Sequence, residues 1–339
     1  MKQNNWGLSL LRTYMCFLVI LCHFWFPENP SGFSRILYHD RNYAVAVFML
    51  LSFFLTHNTL AEHNKQKILH RFKRLLIPQI GWAVIYWCLY KIIDLICKTS
   101  LENSISDMFW QIFSGHSPKL NPTMWYQVDL IWITVLFLVI LLLFKKIHTT
   151  VFLLLAAFAI YLQYSGTYLF LDRFRFEIKY PAGRFIEMIP IAVVGFLLSS
   201  RKIMQFFSEH RLRSITLSAF TIIMVTYFNI FSDIPGYGYQ GIGIILCASA
   251  FVIAFYCLPL AHIPDVLKKI LSFLTSHTLG IYCMHRMVGT LLLLFLPMLG
   301  INFPIKSLPG CILIYGISFM LSWFGTILLG KTPLRMLFE

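Results

Sequence analysis

Two side chains that hydrocarbon penalises share one apolar stretch near the start of the chain, LRTYMCFLVILCHFW, Leu11 to Trp25. Arg12 and His23 are eleven residues apart, so on an ideal helix they differ by about 20° in direction and about 16 Å along the axis. One face thus carries a guanidinium near one end and an imidazole near the other. A guanidinium offers a planar fork to phosphate. An imidazole, with an ordinary pKa of about 6.5, can take a proton from a weak nucleophile at neutral pH. The structural alternatives are an interfacial anchor for Arg12, with its head snorkelling to water, and an interhelical hydrogen bond for His23.

Two more ionisable residues lie in other apolar stretches, His285 and Asp129. With helical rise, His23 is expected about 21 Å into a span that starts at Ser9, His285 about 22 Å into one that starts at Ile270, and Asp129 about 9 Å below the outer edge of its own. All three are expected at one depth. His285 can orient His23, bind an acceptor or stabilise a developing oxyanion, and Tyr282 precedes it by one turn on a similar face. A hydrogen bond that ties helices together is the alternative for His285. The segment HRFKRLLIP, His70 to Pro78, sets Arg71 and Arg74 one turn apart at the mouth of another span, a spacing suited to bidentate phosphate binding or to anchoring on the cytoplasmic side.

The elements that must position these residues are membrane helices. The chain has 339 residues, of which 58% are hydrophobic and 12% charged, with mean hydropathy +0.72; soluble domains carry about 25% charged residues. A net charge of +14 is compatible with nucleic-acid binding, but the lysines and arginines stand in short clusters between apolar runs and form no basic face. No nucleic-acid partner is expected. The eight cysteines lie in or beside apolar runs without a CxxC pair, which favours small buried residues over disulfides or metal ligands. No metal is expected. The run after Lys2 lacks a small-residue cleavage site and reads as a retained first span.

About ten spans of roughly 20 residues or somewhat fewer are expected: Ser9–Phe26, Tyr43–Leu60, Leu75–Cys97, Thr123–Phe144, Ile147–Tyr164, Arg184–Ser200, Ser214–Phe231, Tyr239–Ala261, Ile270–Leu296 and Leu308–Gly330. Alternate loops divide the lysines and arginines sixteen to nine, the richer set including Lys65 to Arg74, Arg201 to Arg213 and Lys331. Positive charge accumulates inside, so both termini are expected in the cytoplasm. The poorer set includes Arg35, Arg41, Arg173, Arg175, Lys179 and Arg184. Residues 1–339 are expected to form a single polytopic membrane domain, since no repeat or long loop interrupts them. Trp25, Tyr43, Tyr168, Tyr180, Tyr237 and Tyr239 fall near the expected outer boundary, as an aromatic belt or as stacking surfaces for sugar rings.

The order of these features resembles the membrane-bound acyltransferase 3 family, which includes bacterial surface-polysaccharide O-acetyltransferases. Arg12 and His23 are similar to its R-x10-H first helix, and RFKR to its R-x-x-R motif. AVAVFMLLSFFL, with Ser52, resembles its second helix; MWYQVDLIW, with Trp125, its fourth; and SHTLGIYCMH its late S-x-G-I-Y-x-x-H. Phe53 stands where the family usually has glycine after the serine, and Asp129 where it usually has an apolar or small residue.

The resemblance implies a multi-pass protein of the inner membrane. It would move acetyl or a related acyl group from cytoplasmic acetyl-CoA, a co-substrate, to a sugar hydroxyl of a surface or lipid-linked polysaccharide. It implies Arg12, Arg71 and Arg74 at the CoA phosphates, His23 and His285 in catalysis, and Ser52, Trp125 and Tyr282 in support; the supporting role of Asp129 is inferred from its expected depth and not from the resemblance. His23 acts in this reading as a general base or as a transient acyl-histidine. The other readings are an exporter of polysaccharide or its lipid-linked precursors, and a catalytically silent scaffold of the same fold.

Overall fold

A computed structural model describes the chain except residues 1–4, 24–31, 98–103, 116–120, 122, 166–181, 232–240, 261–262, 302–306 and 339. Trp25, Tyr168, Tyr180, Tyr237 and Tyr239, and the loop cations Lys2, Lys98, Lys119, Arg173, Arg175, Lys179 and Lys306, lie outside the described residues.

The described residues form helices and no strand. In chain order these are α1 (Trp6–His23), α2 (Phe33–Asp40), α3 (Tyr43–Ala61), α4 (Lys65–Cys97), α5 (Ile105–Ser114), α6 (Trp125–Leu143), α7 (His148–Ser165), α8 (Ala182–Leu198), α9 (Arg201–Glu209), α10 (Arg211–Phe231), α11 (Ile242–Cys257), α12 (Asp265–Ser276), α13 (Thr278–Met298) and α14 (Leu308–Leu329), then a 3-10 turn at Pro333–Leu337. Eight of them, α1, α3, α4, α6, α7, α10, α13 and α14, are long and apolar enough to cross a bilayer. The chain is an all-α integral membrane protein. The remaining two expected spans correspond to α8, of 17 residues, and α11, of 16.

Most observed helix ends fall within a few residues of the expected ones, and two expected spans differ by more. The run Lys65 to Arg74 is no loop but the first turns of the 33-residue α4, because His70 to Arg74 continues the helix without a breaker and Pro78 falls inside it. Pro78 lacks the N–H that would bond the Arg74 carbonyl. The expected span Ile270–Leu296 is broken at His277 into α12 and α13. Its side chains explain the break: Ser276 Oγ donates to the Phe273 carbonyl at 2.8 Å and His277 Nδ1 lies 2.6 Å from the same oxygen, competing with the backbone ladder. His285 therefore stands about 10 Å from the start of its own helix, not about 22 Å.

The described chain clusters into two compact units. The first comprises Met1–His57 and Pro190–Ile327. Within it α3 is buried almost all round, Tyr43, Val47, Leu50 and Phe53 each being 1% exposed or less, as an apolar helix without a polar face must be. His57 Nδ1 meets the Phe196 carbonyl at 2.8 Å, and a Cβ on Gly195 would stand 2.3 Å from the Leu50 carbonyl oxygen; α3 and α8 touch backbone to backbone there. α1 packs on α11, α12 and α13. Asn5 caps it, accepting from the Leu8 amide at 3.0 Å while its own amide donates to the Tyr256 carbonyl at 3.1 Å.

The second unit comprises Asn58–Ile189 and Leu328–Glu339. Buried amides hold its core: Gln79 donates to the Gln111 carbonyl and Gln111 to the Asn121 carbonyl, each at 2.7 Å. Phe137 packs on Phe152 at 4.5 Å, and the 3-10 turn seats Leu337 against Gly81 and Trp82.

At the end of α2, Asp40 accepts from Thr226 at 3.3 Å, in a polar group with Tyr14, Tyr43 and Cys247. Burial pushes the Asp40 carboxyl up to about 6, against the opposing pull of the Thr226 hydrogen bond. A carboxyl that binds its proton more tightly folded than unfolded stabilises the fold at low pH, and that contribution is lost as pH rises through about 6. Asp40→Asn, neutral throughout, is therefore expected to melt above wild type at about pH 7.5 and level with it near pH 4. An equal difference at both pH values in a thermal melt would refute the raised value.

Candidate active site

In the first unit α1 and α13 run side by side in the same direction. Near their starts Arg12 Nη2 donates to Thr278 Oγ1 at 3.2 Å, and Cys16 Sγ approaches the Thr278 carbonyl at 3.9 Å. Near the end of α1 the rings of His23 and His285 lie 5.2 Å apart, tilted by 36°. The break at His277 is what places Thr278 at the head of α13, opposite Arg12.

His285 is fully buried. Its Nδ1 lies 2.6 Å from the Tyr282 carbonyl and 3.2 Å from that of Ile281. Carbonyls only accept, so Nδ1 carries the hydrogen and, in the neutral ring, Nε2 carries the lone pair. That Nε2 has no hydrogen-bond partner among the described residues. Tyr282 thus contributes its carbonyl as well as a ring 6.1 Å from that of His285. His23 is only part-buried, which leaves its ring reachable.

Two arginines absent from the sequence-derived set hold the end of α1. Arg286 Nη1 donates to the His23 carbonyl at 2.5 Å, and the buried Arg41 Nη1 donates to the Leu21 carbonyl at 3.3 Å while its guanidinium lies 4.2 Å over Tyr38. The last carbonyls of a helix have no partner within it and attract cations. The available signal for Arg286 was its cost, since an arginine directly after His285 in an apolar run needs a reason as much as Arg12 does. Sequence reasoning also passed over Ser318 and Ser322, one turn apart on α14, both fully buried and with hydroxyls unpartnered among the described residues. Below them Thr326 donates to Met284 Sδ at 3.6 Å.

Ser52 lies in α3 and accepts through its carbonyl from Thr56 Oγ1 at 2.6 Å. Phe53 is fully buried; the close backbone approach that glycine would give there is made at Leu50 by Gly195 instead.

The second unit holds the remaining site residues. Arg71 Nε donates to Thr134 Oγ1 of α6 at 3.1 Å, while Arg74, one turn on, is exposed. Trp125 opens α6, buried to 4%, with the Arg184 guanidinium 4.8 Å over its ring. Gly115, at φ 65°, lets the end of α5 close on Trp125, since a Cβ there would meet its backbone at 2.4 Å. Asp129, one turn further, is fully buried. Of the three groups expected at one depth, the structure brings His23 and His285 together and gives Asp129 to the second unit. Among the described residues no three His, Cys, Asp or Glu side chains gather as a metal would require.

The chain matches the family model for an acyltransferase domain, that of the acyltransferase 3 family, over residues 5–323. No curated protein and no solved structure matches it. The match takes in Arg12, His23, Ser52, Arg71, Arg74, Trp125, Asp129, Tyr282 and His285. The chain is a member of the acyltransferase 3 family of membrane acyltransferases.

Proposed function

We propose that this acyltransferase moves acetyl, or a related acyl group, from CoA supplied in the cytoplasm to a sugar hydroxyl of a surface or lipid-linked polysaccharide. It does so in the cytoplasmic membrane as a single catalytic domain, with both termini on the cytoplasmic side. The observation that carries the reading is the 5.2 Å approach of the His23 ring to that of His285, whose buried Nε2 has no hydrogen-bond partner among the described residues, on the two helices that also join Arg12 to Thr278.

A sugar hydroxyl is a poor nucleophile until its proton leaves. His23 takes that proton as the oxygen attacks the thioester carbonyl; the C–S bond then breaks, and the His23 imidazolium gives the proton to the departing CoA thiolate and returns to its neutral form. His285, its tautomer fixed by two carbonyls, keeps an unshared Nε2 lone pair in a ring 5.2 Å from that of His23. Arg12, about 16 Å away along α1, fits the phosphate end of an extended CoA, with Ser52 and Tyr282 in support in the first unit. In the second unit Arg71 and Arg74 offer a phosphate fork of their own, with Trp125 and Asp129 in support there. The orphaned nitrogen favours one further reading, in which His285 itself is the base. Mass spectrometry of surface glycans from cells with and without the protein should reveal the acylated sugar, and identical acylation would reject the polysaccharide acceptor.

His23→Ala is expected to lower turnover per folded molecule by about 10²–10⁴-fold at saturating acyl-CoA, the usual worth of a general base, with CoA binding intact. Near wild-type turnover there, with loss in His285→Ala, would transfer the role to His285.

Arg286 acts through His23 and is a positioning residue. Arg286→Gln is expected to reduce kcat by about tenfold or more, a charge-assisted hydrogen bond being worth about 1.5–3 kcal/mol, while KM for acyl-CoA holds; Arg286→Lys should recover part of it. A fall in folded yield with unchanged kcat would reduce Arg286 to a structural role.

Arg71→Ala combined with Arg74→Ala is expected to weaken CoA binding by about tenfold or more on the same scale. Unchanged affinity in the folded double variant, by calorimetry in nanodiscs, would reject these arginines as the donor site.

A further inference from the structure

A groove of about 250 Å³ opens in the first unit between α9, α10 and α11, well beyond the roughly 30 Å³ share of a single water. Its lining changes along its length. At the α9 end stand His210 and Arg213, both exposed. Further along the walls are Leu217, Leu246, Ala250 and Ile253. Three of the hydroxyls that also face the groove spend their hydrogens on main-chain carbonyls nearby in sequence: Ser214 on His210 at 3.0 Å, Thr221 on Leu217 at 2.9 Å and Ser249 on Ile245 at 2.7 Å. The groove thus has one cationic end and an apolar body.

The surroundings share that polarity. Arg201, Lys202 and Arg211 flank Arg213 in sequence, and the one carboxylate nearby, Glu209, accepts from Gln205 at 2.8 Å. Helix α9 buries none of its nine residues and exposes Ile203 and Phe206 one turn apart, the pattern of a short helix lying in a membrane interface with its basic residues at headgroup level. An elongated ligand with an anionic head and a hydrocarbon tail complements both parts of the groove.

We propose that this groove is a binding site for one anionic phospholipid, with its phosphate at Arg213 and His210 and one acyl chain along Leu217, Leu246, Ala250 and Ile253. The assignment is independent of the catalytic reading. Only the choice of leaflet, the inner one, rests on the proposed orientation.

The test uses the full chain, stripped of lipid in detergent and titrated with phosphatidylglycerol or phosphatidylcholine of identical palmitoyl-oleoyl chains, followed by native mass spectrometry. Wild type is expected to retain one phosphatidylglycerol about tenfold more tightly than phosphatidylcholine, which carries the same phosphate but offsets its charge with a choline cation that Arg213 repels. Arg213→Gln, at an exposed position, should abolish that preference. Leu217→Trp, also exposed, should weaken retention of both lipids by filling the tail groove without altering charge. Equal retention of the two lipids by wild type, or an undiminished preference in Arg213→Gln, would overturn the proposal. Unchanged retention in Leu217→Trp would overturn the placement of the tail. Displacement of bound phosphatidylglycerol by equimolar CoA would assign the cationic end to CoA phosphates and overturn the lipid.

Discussion

A helix that ends among apolar groups leaves its last carbonyls without donors, and in hydrocarbon each such orphan costs several kcal/mol. Over the last described turn of α1 two guanidinium groups donate to main-chain carbonyls, Arg286 to that of His23 and Arg41 to that of Leu21. The bond from Arg286 has a second consequence, because the donor is the residue next to His285. Satisfying the carbonyl of one histidine ties its backbone to the chain neighbour of the other, and the two rings then stand 5.2 Å apart. The demand of the backbone for partners and the placement of the reactive side chains are met by the same contact.

The same economy appears at the other end of α13. The break at His277 uses side-chain hydrogen bonds to take over the Phe273 carbonyl, and the new helix start leaves Thr278 bonding both the Thr275 carbonyl and Arg12. An unbroken helix from Ile270 would present different residues to α1 at that level, since a helix offers one face every 3.6 residues. The interruption therefore sets the register in which Arg12 meets Thr278 and, seven residues on, His23 meets His285. Local competition for one carbonyl fixes a relation about 10 Å away.

These two devices also mark the limits of what could be read in advance. The membrane class, the positions of the long helices and the shared face of Arg12 and His23 were legible, because hydropathy and helical period follow from composition and spacing alone. The pairing of His23 with His285 was approached through depth, and the depth of His285 rested on a span start at Ile270 that the break removes. An apolar average hides such a break, since Ser276, His277 and Thr278 barely alter the hydropathy of a long window. Arg41 was counted as a loop cation and Arg286 was not read at all; their partners are backbone carbonyls, which leave no mark in a pattern of side chains. The missing glycine after Ser52 was legible, but its replacement was not. Gly195 lies far along the chain, and only the fold brings it to Leu50.

The polar atoms that remain unpartnered acquire meaning from this background. Like the buried hydroxyls of Ser318 and Ser322, the fully buried Nε2 of His285 has no partner among the described residues, a cost of about 1–3 kcal/mol that packing does not explain. His285 could have been a leucine of similar bulk at no such cost. Its Nδ1 is held by two carbonyls, so the ring cannot turn to satisfy Nε2 without giving up the bonds that orient it. The site therefore holds one acceptor in a fixed direction next to a reachable histidine, as a proton-transfer site requires before its substrate arrives.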